Sequence, residues 1–252
     1  MVLRVSRIRV ASLHFCCSLF LAAAVALLVF GLWYPYPYRK ISGGIELFFI
    51  VMGVDVVLGP LITLIVFNAK KSRRELIGDF SAIAALQIMA LCYGVWVLSE
   101  ARPVHLVFEL DRFRVIHVAD VPPDLIARTP IDIKALPLTG PTLVAVRQFV
   151  DSEEELSATL LALQGISLGG RPDLWESYEK ARPRVLAASK SLSNLVQKFP
   201  ERSKEIAQTA REVGRPVSSV AYLPLVGRKD FWTVLLDAET AEVLAFLPLD
   251  SF

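Results

Sequence analysis

The chain has 252 residues, a formal net charge of +2 and a hydrophobic fraction of 54%, with a mean hydropathy of +0.50. That hydropathy is too high for an ordinary soluble domain, and the long apolar runs crowd into residues 1–100, so a wholly soluble protein is excluded. A charge this close to zero offers no basic footprint for nucleic acid, which is therefore excluded as a partner.

The N-terminus carries Arg4, Arg7 and Arg9 ahead of an almost wholly apolar run over residues 12–33. A cleavable signal peptide shares the basic start, but its apolar region covers only roughly 7 to 15 residues and ends in small side chains. This run instead ends in Trp33, Tyr34, Pro35, Tyr36, Pro37 and Tyr38. Such an aromatic belt suits a membrane interface and predicts a retained anchor. Pro35 and Pro37 deny helix continuation and predict an extended turn.

Residues 45–67, IELFFIVMGVDVVLGPLITLIVF, form a second apolar run. Its length meets the roughly 20 residues needed to cross about 30 Å of hydrocarbon. Inside it lies Asp55, and an ionised carboxylate near the bilayer centre costs on the order of 2.5 to 3.5 kcal/mol. Asp55 is therefore expected to face protein. Pro60 removes the amide donor to the Val56 carbonyl, which predicts a bend just after the aspartate. A third run covers residues 77–98, with Gly78 and Gly94 expected to permit close helix contact.

Asp55 and Gln87 each lie about 11 residues into their runs, which places both near the midplane of antiparallel helices and within reach of a hydrogen bond. Asp79 sits near the other end of its helix, close to the basic stretch at residues 68–75, and His14 reads as an interfacial histidine. Cys16, Cys17 and Cys92 lack metal-ligand spacing and read as small core residues.

Basic residues number three on the N-terminal tail and four in the 68–75 loop, against two in the loop of Arg39 and Lys40. The excess predicts that the tail and the 68–75 loop are cytoplasmic. Everything after Ser99 is then outside the cytoplasmic membrane, in the periplasm of a double-membraned bacterium. That part holds no cysteine, so no disulfide framework is expected.

In the outer part, residues 104–110 and 113–118 read as a hairpin turning at Asp111 and Arg112. Residues 120–141 are proline-rich and irregular. Residues 142–149 read as a strand, and Asp151 opens a helix with carboxylates in its first turn. Residues 173–198 have helical spacing interrupted at Pro183, a polar helix runs over residues 200–212, and strands close the chain at residues 218–226, 231–237 and 242–248. The predicted fold is a membrane-anchored α+β architecture. Three N-terminal transmembrane helices, at about residues 12–33, 45–67 and 77–98, occupy residues 1–100. A periplasmic domain follows over residues 101–252, an antiparallel sheet with helices covering one face.

No catalytic, cofactor-binding or metal motif is present. GISLGG at residues 165–170 lacks the lysine of a phosphate-binding loop. His105 and His117 fall on the two hairpin strands as expected cross-strand neighbours, without a third ligand. An intramembrane aspartyl protease needs two adjacent aspartates, and Asp55 and Asp79 differ in depth by about 10 residues of helix, too far for a shared proton.

The stretches WYPYPY, GVDVVLGPLITLIVF, KKSRREL, QIMALCYGVW and RPVHLVFELDRFRVIHVAD together resemble the type IV pilin accessory protein family. The resemblance is strong through Asp120 and looser, but co-linear, beyond it. It implies a non-enzymatic inner-membrane helper for a cognate major type IV pilin, whose client is itself an apolar helix with a globular head outside the membrane. On that reading Asp55, Gln87 and Pro60 are the candidate intramembrane polar contact. Trp33, Tyr34, Tyr36, Asp111 and Arg112 are the candidate interface residues. Asp55 either ties the second and third helices together through Gln87 or meets a polar or cationic group of the pilin helix. A membrane-bound ligand-sensing subunit acting through a separate signalling partner is the alternative function.

Overall fold

The computed structural model describes residues 6–252; Met1–Val5, and with them Arg4 of the basic tail, lie outside the described residues. The chain divides into two units, one of the residues up to Arg39 with Gly43–Ala101, the other of Lys40–Ser42 with Arg102–Phe252.

Among the described residues of the first unit, three helices are long and apolar enough to cross a membrane: α1 (Arg7–Trp33), α2 (Gly44–Val66) and α3 (Arg73–Glu100). Each starts or ends where the sequence supplies a stop. Ser6 caps α1 by accepting from Arg9 N, and Ser72 with Glu75 forms a reciprocal capping box at α3. The helices run antiparallel in sequence order. His14 meets Thr63 while Tyr34 meets Gly44, and Phe67 meets Phe80 while Val51 meets Gly94. Their shared core is Ala22, Val25, Val29, Tyr34, Phe48, Met52 and Leu98.

Gly94 makes the expected close approach, since a Cβ there would lie 2.2 Å from Val51 Cγ1. Gly78 does not, because a Cβ would meet nothing within 4 Å. The cysteines also depart from expectation: all three are exposed on the helix surfaces. A bundle of three helices has few interior positions, and here Ser18, Ala22 and Gly94 take the tight ones.

The second unit is a mixed sheet. Its described strands are β1 (Pro103–Glu109), β2 (Arg112–His117), β3 (Thr142–Val146), β4 (Trp175–Ser177), β5 (Lys190–Ser191), β6 (Val220–Val226), β7 (Phe231–Asp237) and β8 (Val243–Leu247). Their order is β4-β3-β1-β2-β6-β7-β8, with β5 paired to β6. The hairpins β1–β2, β6–β7 and β7–β8 are antiparallel, but β3 pairs parallel to β1 and β6 parallel to β2. The helices are α4 (Ser152–Leu163), α5 (Tyr178–Ala188), α6 (Leu192–Lys198) and α7 (Ser203–Glu212).

Both faces of the sheet are covered, not one. β1 is buried at every position, as expected of a strand that reads apolar without alternation. On one face Phe108 and Phe113 stack at 5.7 Å and Tyr178 of α5 lies against Phe113. Val107 and Ile116, of opposite parity, pack with Ala158 of α4 and Trp175. A second core joins Leu192, Leu195, Ile206 and Ala210 of α6 and α7 to Val220, Tyr222 and Leu235.

The helical spacing expected over residues 173–198 resolves into β4, α5, β5 and α6. Pro183 lies inside α5 and does not end it. The carbonyl deprived of a donor is that of Glu179, an exposed residue, where water can serve. His105 and His117 are not direct partners either. A bulge between Pro103 and His105 sets His105 opposite Ile116 and His117 opposite Pro103.

His105 is fully buried. Its Nε2 lies 3.0 Å from the Ala135 carbonyl, to which it must donate, and its Nδ1 accepts from the Thr142 hydroxyl at 2.7 Å. The neutral ring is thus satisfied, and burial pushes its pKa from 6.5 down to about 4. The unfolded chain therefore binds the extra proton between those values, so stability is complete above pH 6.5 and falls as the pH drops toward about 4. Denaturant titrations of the full chain across that window should show this loss, and His105→Gln should flatten it.

Candidate functional site

The polar centre of the first unit is built around a π-helical turn, Val54–Leu58, in the middle of α2. In a π-turn a carbonyl accepts from the amide five residues on. For Asp55 that residue is Pro60, which has no N–H to give. The proline thus leaves the Asp55 carbonyl, rather than that of Val56, in need of a donor. Gln87 of α3 supplies it: Nε2 lies 3.4 Å from the Asp55 carbonyl and 3.2 Å from Oδ1 of the same residue. Gly59 makes room, because a Cβ there would fall 1.9 Å from that nitrogen.

Asp55 is 7% exposed. Gln87 uses its two amide hydrogens on one residue, satisfying a main-chain and a side-chain oxygen together. No protein group donates to Asp55 Oδ2 among the described residues. Asp55 lines a cavity of about 170 Å³ together with His14, Ser18, Ala84, Gln87 and Leu91 among others. His14 Nδ1 and Thr63 Oγ1 pair at 2.6 Å across α1 and α2. Ser18 follows His14 by one helical turn, so both fall on one face of α1. These were recognisable only as polar residues inside apolar runs at matching depth.

The other expected residues are dispersed. Tyr34 is fully buried; its hydroxyl donates to the Leu98 carbonyl at 3.0 Å, and its ring fills the space over Gly44. It closes the bundle and offers no surface to a partner. Trp33 packs half-buried against the same core. Tyr36 is 66% exposed, with the Arg39 guanidinium over its ring. In the second unit Asp111 pairs with Arg112 at 2.8 Å, and Arg112 lies over the Phe252 ring. Asp79 pairs with Lys71 at 2.6 Å, so the two membrane aspartates hold different partners.

Comparison with known proteins places this arrangement. A fimbrial assembly protein of Dichelobacter nodosus, serogroup I, is 35% identical over 246 residues, covering 97% of this chain and 95% of the relative. The chain belongs to the fimbrial assembly protein family. The serogroup E1 protein of the same organism is 34% identical over the same length, and that of serogroups C1 and C2 is 45% identical over 113 residues, 45% of this chain and 86% of the relative. The family model described as fimbrial assembly protein FimB matches residues 3–43, the first helix and its aromatic belt. No solved structure matches. The resemblance to pilin accessory proteins read from the sequence thus holds across nearly the whole chain.

Adding a methyl at residue 59 must displace the Gln87 amide. Gly59→Ala should cost about 1–3 kcal/mol of bundle stability in detergent unfolding. Because the clash and the lost bond share one partner, Gly59→Ala combined with Gln87→Ala should cost clearly less than the sum of the two single changes.

Proposed function

We propose that this protein is an inner-membrane accessory that holds a cognate type IV pilin before and during pilus assembly. The observation that carries this reading is the co-linear match, over 246 residues, to proteins named for fimbrial assembly. Three helices able to cross a membrane are consistent with a client that is itself a membrane helix with a head outside. The asymmetry of basic residues between the tail, the 68–75 loop and the Arg39 loop supports a cytoplasmic N-terminus and a periplasmic second unit. On this reading the protein acts by binding, and the bundle supplies a carboxylate, an amide, an imidazole and a hydroxyl for it.

Asp55 is the proposed contact with the pilin helix. Asp55 lines a cavity and Gln87 bonds only Oδ1 of its carboxylate, so a polar or cationic group of the client would find an acceptor in a medium where competing water is scarce. The rival role is a purely internal tie between α2 and α3.

Purification from native membranes should bring the cognate pilin along and leave a non-cognate pilin behind; recovery of a signalling kinase in place of pilin would favour the sensor alternative. Asp55→Asn separates the two roles of the carboxylate. Loss of a charge-assisted bond should lower pilin crosslinking about tenfold with the accessory at normal levels. Falling accessory levels with unchanged crosslinking per molecule would assign Asp55 to the internal tie.

A further inference from the structure

Helix α4 carries an apolar face that the structure leaves uncovered. Its core side is Ala158, fully buried among Val107, Ile116 and Trp175. Leu156, Leu160 and Leu163 follow one another at intervals of four and three residues. At 3.6 residues per turn they form one stripe on the side roughly opposite Ala158. They are 60%, 52% and 81% exposed. Three leucines aligned toward solvent on one short helix make a contiguous patch of the kind that marks an interaction surface.

The charges along this stripe differ between its two ends. At the start of α4, Glu154 takes both terminal nitrogens of Arg147, at 2.8 and 2.6 Å. Glu153 is exposed, and its carboxylate makes no bond among the described residues. It lies three residues before Leu156 and seven before Leu160, in line with the leucines. At the other end Gly165, with φ of +93°, turns the chain out of the helix. The turn at residues 165–167 borders an open cleft of about 480 Å³ that Arg114 and Arg228 also line.

Arg114 is already held by Glu109, its Nε donating to Oε1 at 2.5 Å. Arg228, in the β6–β7 turn, is exposed, and its guanidinium makes no hydrogen bond among the described residues. Its charge acts on Asp120, a carboxylate that His117 already occupies at 2.8 Å. Lys229 beside it offsets Asp230. The stripe thus has an unbonded carboxylate at its head and an unbonded guanidinium past its tail.

Those two groups are halves of one contact set, and antiparallel pairing of two identical helices brings each half to the other. With a two-fold axis near Leu160, Leu156 falls beside Leu163 of the second copy. Glu153 then falls beside residues 166 and 167 of that copy, the turn whose cleft Arg228 lines. We propose that α4 is the self-association face of the second unit, pairing antiparallel with α4 of a second copy through the leucine stripe and two Glu153–Arg228 contacts. A lipid surface is the poorer occupant, because α4 has an acidic first turn and no lysine or arginine to meet anionic headgroups. α4 has 12 residues, about 18 Å of helix, a contact too short to hide the roughly 800 Å² per partner of stable soluble complexes. The pairing is therefore weak between free molecules and gains from anchoring in one membrane, which raises the effective concentration of the copies. The proposal stands independently of the pilin assignment.

The test uses the full chain in membrane vesicles, with Cys16, Cys17 and Cys92 replaced by alanine. Leu160→Cys, at the axis, should form a disulfide-linked dimer under copper phenanthroline about tenfold faster than Asn194→Cys, an exposed control position on α6. Glu153→Arg and Arg228→Glu should each slow that crosslink about tenfold by setting like charges together, and both changes in one chain should restore it. All four positions are exposed, so none of these variants opens the core. A Leu160→Cys rate no faster than the control, single reversals without effect, or a double reversal that fails to restore the rate would overturn the proposal. So would a photocrosslinker at residue 160 that captures pilin in native membranes and never a second copy.

Discussion

One side-chain amide holds the membrane bundle to its register. Within hydrocarbon every backbone group must find an internal partner, and Pro60 denies one to the Asp55 carbonyl in the π-turn. Gln87 meets that carbonyl and the Asp55 carboxylate together, and it reaches them only because residue 59 has no Cβ. Glycine, proline, aspartate and glutamine thus form one unit of four mutually dependent choices. The His14–Thr63 pair fixes α1 to α2 in the same way. Such intramembrane bonds contribute only about 0.6–2 kcal/mol each. Their larger effect is to penalise every other register, because a slipped helix would leave a carboxylate and a carbonyl without donors.

The second unit solves a different problem. Its central strands are buried on both faces, so polar groups there need specific partners. Glu109 shows how this is met: 4% exposed, it joins Arg114 of β2 to the Gly169 amide of a distant loop. Trp175 adds a second tether to that loop by donating from Nε1 to the Gly169 carbonyl at 2.8 Å. The loop at Gly169 is therefore anchored from two strands.

Much of this fold is legible from residue order alone, and the failures share a cause. Apolar run length gives the three helices, because the bilayer dimension is a hard constraint. The β1–β2, β6–β7 and β7–β8 hairpins are visible because their partners are adjacent in sequence. The parallel pairings of β3 with β1 and β6 with β2 are not, since they depend on distant segments. β4 and β5 are three and two residues long, too short to carry a period against the helical spacing around them. Depth alone set Asp55 and Gln87 at one level, but not the second bond from Gln87 to the main chain, which requires the π-turn. Tyr34 illustrates the converse. An aromatic at the end of an apolar run suggests an interface, and only the placement of Gly44 and Leu98 shows it to be interior.

The proposed role in pilus assembly presupposes that the helices carry the second unit to the compartment where a pilin head resides. The most direct measurement is a pair of reporter fusions after Phe252 in cells with two membranes. An active alkaline phosphatase with dark green fluorescent protein at that position is the predicted result. Bright fluorescence with inactive phosphatase would place the second unit in the cytoplasm and contradict it.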